Sequence, residues 1–459
     1  MSFAYIKIGF KAILGMVPVL LLQTALFAQT STPETALSDY LNNGDRTFEW
    51  QVIDSIPIEG ATIYEVRLTS QQWREHIWKH QLNVTIPHQI QYDGALLFVS
   101  SGSINDGIPN RRDPLENREA LALARMAVSN KAITAVLYQT PNQPLYGGRV
   151  EDELISMTFH KFQEDGDYSW PLLFPMVKSA VRAMDAVQEI ASSKQQPQVN
   201  RFVVSGLSKR GWTTWLTGSQ DHRVEALAPM VIDILNMPVN LNYQVDTWQE
   251  YSPQIQDYVA LGLVQDIESD RGRALAQMID PYSYRSQLNK PKMLFMGTND
   301  PYWVIDAVRH YIDDIPGENF IHYVPNAGHN LGDKVQAFEA LAAFWDFTLK
   351  GMAYPKTQWK AKQSKNQLKL TVKTNKDRLV GAVLWEANSQ DADFRDETWS
   401  SRDLGISHKK KIVIKQPRPT EGYHAFYVDF KFKDPQGRVY TQSTRAFVGD
   451  YAKGYYLKN

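Results

Sequence analysis

A doubly wound, mainly parallel α/β sheet with a helical lid insert and a C-terminal all-β sandwich is the architecture the sequence predicts. Three observations carry it. Apolar strands alternate with helical segments from Gly94 to Gly351, the pattern of a parallel sheet covered on both faces. A long helical, aromatic, Pro-interrupted stretch breaks that alternation between Asp233 and Pro291. After Pro355 the spacing changes to period two with turn residues between the segments, as in antiparallel β structure. With 459 residues, 43% hydrophobic and 22% charged, the chain has room for two or three domains and a large core.

At the front, Lys7 and Lys11 precede an apolar run from Ala12 to Ala28 and then polar Gln29-Thr30-Ser31-Thr32. This is the order of a secretory signal peptide, and it predicts export to the periplasm or medium. Cleavage after Ala28 puts Leu26 at −3, an imperfect match, so an uncleaved N-terminal anchor is the alternative. No later segment is long and apolar enough to span a bilayer. Residues 33–48 read as a short helix and turn. "WQVIDSIPIEGATIYEVRLTS", from Trp50, reads as two strands joined at Glu59-Gly60, with "HQLNVTIP" adding a third.

The body then follows in order. "GALLFVSSGS" (94–103), "AITAVLYQ" (132–139), "RFVVSG" (201–206), "VEALAPMVID" (224–233), "PKMLFMGTND" (291–300) and "NFIHYVPNAGH" (319–329) are the expected strands. Residues 117–130, 171–192, the segment after Ser208, "DAVRHYID" and 333–351 are the expected helices. The α/β domain is placed at 29–355. The insert, about 236–290, lies where it would cover the carboxyl ends of the strands, as a cap over a ligand site; extra helices on the flank are the plainer alternative. Residues 356–459 form the β domain.

The composition narrows the chemistry. Cysteine is absent, which excludes disulfides, thiol catalysis and Cys-based metal sites. A net charge of −1 gives no reason to expect nucleic acid or an anionic membrane surface as partner. No His/Asp/Glu spacing reads as a metal site, no glycine loop reads as a phosphate cradle, and no cofactor is expected. Aromatics make up 12%; Trp212 and Trp303 are the two expected to line a cleft, with core packing as the ordinary role.

"VVSGLSKRGWTTWL" (203–216) is a buried strand that turns on a serine into a helix. A nucleophile elbow has this form: small neighbours let the turn tighten and lift the hydroxyl clear of the sheet. Gly206 is at −2, but +2 is Arg210 and the second glycine, Gly211, is at +3, so the motif is G-x-S-x-x-G. Asp300 ends the strand "MLFMGTND", and His329 follows the next strand in "VPNAGHN". The order Ser208, Asp300, His329 is that of α/β-hydrolases, with each residue at the carboxyl end of a strand. Asp233, closing the preceding strand, is the rival acid or else a structural cap on the lid entrance. The oxyanion donors are expected at the N–H of Lys209 and in the loop at Ser101 and Gly102. Lys209 and Arg210 are cations at a helix N-terminus, against the dipole. Arg210 is therefore a candidate for a substrate carboxylate, and a solvated helix start is the alternative. Glu151, Asp152 and Glu153 are candidates for gripping the amino terminus of a peptide; alternatively they are acids favoured by a helix N-terminus.

The blocks "SGLSKRGWTTWLTGSQDHRVEALAPMVIDILN", "GTNDPYW" and "PNAGHNL" resemble the PhoPQ-activated pathogenicity-related protein family, over roughly Thr35 to the end of the chain. The resemblance implies an exported α/β-hydrolase-type protein with a C-terminal β domain, and it assigns nucleophile, acid and base to Ser208, Asp300 and His329. The G-x-S-x-x-G spacing also looks like that of glucuronoyl esterases, but the flanking residues do not match, and that substrate is not carried over. The expected function is a serine hydrolase acting on a small-molecule ester or a peptide, with carboxylesterase and aminopeptidase or dipeptidyl-peptidase chemistry both open. The alternative is a non-catalytic secreted interaction protein on an α/β-hydrolase scaffold, linked to envelope stress or virulence.

Overall fold

The computed structural model describes residues 31–375, 377–405 and 409–457, together with residues 1, 2 and 4. The signal-peptide reading falls, but for those three residues, outside the described ones. Among the described residues no helix is long and apolar enough to cross a membrane.

After a short helix α1 (Ala36–Leu41), three long strands β1 (Glu49–Ile58), β2 (Ala61–Trp73) and β3 (His76–Pro87) pair antiparallel. Gly60, at φ 77°, makes the first turn. The alternating segments follow: β4 (Gly94–Val99), a minor hairpin β5 (Ile104–Asn105) and β6 (Ile108–Pro109), α2 (Arg118–Asn130) and β7 (Ile133–Leu137). Next come α3 (Glu151–Asp165), α4 (Leu173–Ser193), β8 (Arg201–Leu207), α5 (Lys209–Gln220) and β9 (Val224–Met230). The insert holds α6 (Met237–Trp248), α7 (Gln256–Ala260) and α8 (Asp270–Ile279), with 3₁₀ turns at Pro253–Ile255 and Pro281–Gln287. The alternation then resumes with β10 (Lys292–Gly297), β11 (Asn319–Val324) and α9 (Val335–Leu349).

Strands β7, β4, β8, β9, β10 and β11 lie side by side in that order, all parallel, and β3 joins antiparallel at the β7 edge. The reversal of order between β4 and β7 is what a sheet wound in both directions produces, and it opens a crevice at the carboxyl ends of the strands. Side chains of a strand alternate between faces. In β4, Leu96 and Phe98 enter a core shared with α2 and α9, while Ala95, Leu97 and Val99 enter one shared with α3, α4 and α5. Burial on both faces is why these strands read as continuous apolar runs.

The C-terminal strands β12 (Thr357–Gln363), β13 (Gln367–Thr374), β14 (Leu379–Ser389), β15 (Ser400–Asp403), β16 (Lys411–Pro417), β17 (Tyr423–Lys433), β18 (Val439–Ser443), β19 (Phe447–Asp450) and β20 (Gly454–Tyr455) are antiparallel. β12, β13 and β16 form a small sheet whose Leu368, Leu370, Val372 and Ile414 share a core with Leu384, Phe426, Val428 and Phe430 of β14 and β17. The larger layer does not stand alone. β18 pairs with β11 at Ile321 and Ser443, so the β layer continues the central sheet. An edge strand offers unpaired backbone groups, and β18 covers those of β11.

The helix expected at "DAVRHYID" is instead two 3₁₀ turns, Ala307–His310 and Ile312–Asp314. Two tertiary bonds oppose a continuous helix there. Tyr311 turns inward to give its hydroxyl to Asp233 at 2.5 Å, and the His310 carbonyl accepts from Asn236 Nδ2 at 2.9 Å.

Candidate active site

Ser208 stands between β8 and α5 at φ 58°, ψ −123°, a region that costs a non-glycine residue about 1–3 kcal/mol. The turn is held because the Ser208 N–H donates to Met230 O at 2.8 Å and its carbonyl accepts from the Trp212 N–H at 2.9 Å. The two glycines show why the motif departs from the commoner spacing. A Cβ on Gly206 would lie 2.8 Å from both the Val99 carbonyl and the Arg210 Cβ; the bare Gly206 leaves room for the side chain at +2. A Cβ on Gly211 would lie 2.7 Å from the Met230 carbonyl, so the close approach of helix to strand falls at +3.

His329, on the loop after β11, has Nε2 2.8 Å from Ser208 Oγ. Its Nδ1 lies 2.8 and 3.0 Å from the two carboxylate oxygens of Asp300, on the loop after β10. Asp300 is buried, and its Oδ1 also accepts the Tyr302 N–H at 2.9 Å. The Tyr302 ring stacks on the imidazole at 4.1 Å between centroids and 29° between planes. A hydroxyl, an imidazole and a carboxylate therefore lie in hydrogen-bonding sequence, and a ring packed on the middle member limits its rotation.

Asp233 is not part of this array. It is buried, accepts from Tyr311, and burial pushes its carboxyl up to about 7. Of the two acids weighed from the sequence, the one at the imidazole is Asp300.

Lys209 begins α5, and the first amides of a helix have no partner within it. Val99 pairs with Gly206 across β4 and β8, so the loop holding Ser101 and Gly102 leaves the sheet beside the serine turn. Gly102 is packed against Gln139, whose backbone N would lie 2.9 Å from an added Cβ.

The charged candidates are spent on one another. Arg210, expected to face a substrate carboxylate, holds Glu151 with both terminal nitrogens, at 2.8 and 2.5 Å, and gives Nε to the Thr140 carbonyl at 2.5 Å. Burial raises the Glu151 carboxyl, but Arg210 outweighs it and holds the group down to about 2. Lys209 Nζ lies 2.5 Å from Asp152 Oδ2 and 3.3 Å from the Tyr302 hydroxyl. Asp152 accepts from the Tyr258 hydroxyl on its other oxygen at 2.8 Å. Glu153 reaches Arg149 at 3.5 Å. The three acids open α3, so a helix start rich in acids accounts for their clustering, and basic neighbours account for their pairing.

Trp212 and Trp303 both line a cavity that Ser208 also lines, with Nε1 of each donating to a backbone carbonyl, Ile279 and Val231 respectively. The insert roofs this cavity with side chains from α6 and α8 and the turns between them. Two residues escaped the sequence reading. Tyr302 and Tyr258 bracket Asp152, and the only signal for Tyr302 was its place two residues after Asp300 in "NDPYW".

The chain matches the model of the PhoPQ-activated pathogenicity-related protein family over residues 37–395. It is 27% identical over 469 residues to autocrine proliferation repressor protein A of Dictyostelium discoideum, covering 95% of this chain and 92% of that protein. Among solved structures, acetyl xylan esterase 1 of a Thermoanaerobacterium species aligns at TM-score 0.47 and 14% identity, covering 69% of this chain and 93% of that one. A glucuronoyl esterase of Solibacter usitatus aligns at TM-score 0.42 and 12% identity, covering 68% and 92%. The family match takes in the serine turn, both aspartates and His329, and the chain belongs to the PhoPQ-activated pathogenicity-related protein family.

Proposed function

We propose that the protein is an exported serine hydrolase that cleaves an ester or amide through an acyl-enzyme. The supporting observation is the continuous path from Asp300 through His329 to the hydroxyl of a strained Ser208, with contacts of 2.8 Å on each side of the imidazole. In this reading His329 Nε2 takes the Ser208 proton as Oγ adds to the substrate carbonyl. The oxyanion is met by the Lys209 N–H and a donor from the Ser101–Gly102 loop. The tetrahedral adduct collapses, the bond to the leaving oxygen or nitrogen breaks, and His329 returns the proton to that atom. A water then repeats the sequence in reverse: its proton goes to His329, its oxygen to the acyl carbon, and Ser208 is released with a proton. Asp300 holds Nδ1–H and stabilises the imidazolium.

The acids that open α3 leave no carboxylate for the amino terminus of a peptide, because Glu151 and Asp152 are ion-paired within the chain. An ester or a neutral amide suits the site better than a free amino terminus. A fluorophosphonate probe tests the reading. Labelling of the wild-type protein is expected to vanish in Ser208→Ala with the circular dichroism spectrum unchanged, and equal labelling of that variant refutes the nucleophile.

A further inference from the structure

We infer that the cavity beneath the insert is an acyl site built for a neutral, apolar acyl chain, an inference that rests on Ser208 being the nucleophile. The cavity has a volume of about 60 Å³, several times what a single water needs, which suits a short chain. Its wall is almost wholly apolar: Trp212, Ile232, Leu241, Ile255, Leu263 and Trp303 are representative. The ionic groups of the lining are Asp152 and Lys209, which face each other at 2.5 Å. Both oxygens of Asp152 are occupied, one by Lys209 and the other by the Tyr258 hydroxyl. A charged chain end would meet no unmatched partner there and would lose its water, which is costly.

The side of the scissile bond follows from what the lining contains. Ser208 is part of it, and so is Tyr302, whose ring covers one face of the His329 imidazole at 4.1 Å. The leaving group must take a proton from His329 and depart before water can enter. The acyl group stays on Ser208 Oγ through that exchange. The enclosed cavity on the serine side therefore holds the acyl group, and the leaving group lies on the imidazole side.

Alkyl fluorophosphonates with chains from ethyl to hexyl read this site directly. The Ser208 Oγ–P bond forms as the P–F bond breaks, fluoride leaves, and the hydroxyl proton passes to His329. The second-order rate of labelling, followed by intact mass with Ser208→Ala as control, is expected to rise about fourfold per added methylene from burial of each group. An amine-terminated hexyl probe is expected to react at least tenfold more slowly than the methyl-terminated one. Val264→Trp, which fills the roof, is expected to lower the hexyl-to-ethyl ratio. Labelling of Ser208 at a rate independent of chain length, or as fast with the amine-terminated probe, overturns the acyl site and leaves the nucleophile standing. No labelling by any probe overturns the nucleophile and this inference with it. The chain-length series on the unmodified protein decides the matter even where the tryptophan variant does not fold.

Discussion

Asp233 and Asp300 sit in matching places: each stands three residues beyond the end of a parallel strand, β9 and β10, and those strands are neighbours. Yet one carboxylate meets an imidazole and the other a phenol. The register explains the divergence. Met230, the last residue of β9, pairs with Phe295, so β10 runs two residues further toward the cap before its own turn begins. Asp300 comes off the strand that reaches further toward the cap, beside the loop that carries His329. Asp233 comes off the strand that ends two positions earlier and closes onto Tyr311. Gly297 allows the β10 turn to pack against the Ala327 and Gly328 carbonyls, where no Cβ would fit. Two aspartates equal in sequence context are thus separated by about two residues of strand.

The largest test of this contrast is Asp300→Asn. If Asp300 orients His329, the variant keeps its fold and loses on the order of 10⁴-fold in kcat, since the amide favours the wrong tautomer. The same exchange at Asp233 is expected to leave kcat within a few-fold, measured on any ester the wild-type protein turns over. A large kcat loss at 233 with a small one at 300 would reverse the two roles.

The next effect belongs to stability and pH. Burial, first, and then the neighbouring Asp300 and Asp306 charges raise the Asp233 carboxyl to about 7, against the opposing bond from Tyr311. A carboxyl raised in the folded state favours folding most below its unfolded pKa, near 4, and that contribution is lost as pH climbs through about 7. Asp233→Asn removes the titration, so thermal stability is expected to fall less between pH 4 and 7. The difference is at most roughly 4 kcal/mol from a shift of this size. Part of the slope persists, because Asp429, buried beside Ser443, is also pushed up to about 7. Melting curves across that range for the two proteins check the point; superimposable slopes would show that Asp233 does not titrate there.

The smallest effect is Tyr311→Phe. Loss of the 2.5 Å hydroxyl leaves Asp233 without that donor and is expected to cost about 1–3 kcal/mol. Because the Tyr311 bond lowers the Asp233 carboxyl, its removal shifts the pH window of lost stability upward. Denaturant titration at pH 5 and pH 8 reads both consequences.

How far the site was legible in the sequence varies residue by residue. Ser208, Asp300 and His329 were legible as positions because each follows a continuous apolar run and sits among small or turn-forming neighbours. The choice between two acids was not legible, since it depends on strand register. Arg210 and Glu151 illustrate a second limit. Far apart in the chain, each looked like a charge in search of a substrate; packed together, they satisfy one another. The insert was legible as helical and aromatic. That its apolar faces line a cavity beside Ser208, rather than filling one another, depends on how three short helices are laid across the sheet.

By itself, then, the sequence determined the succession of elements, the rim on which reactive side chains gather and the class of chemistry they suggest, because local hydrophobic period and turn residues act over short stretches of chain. Tertiary structure alone decided which acid meets the imidazole, which charges cancel, that the β layer continues the central sheet through β18, and what shape of cavity faces the serine. Those outcomes depend on contacts between residues tens to hundreds of positions apart, whose register and packing no local pattern records.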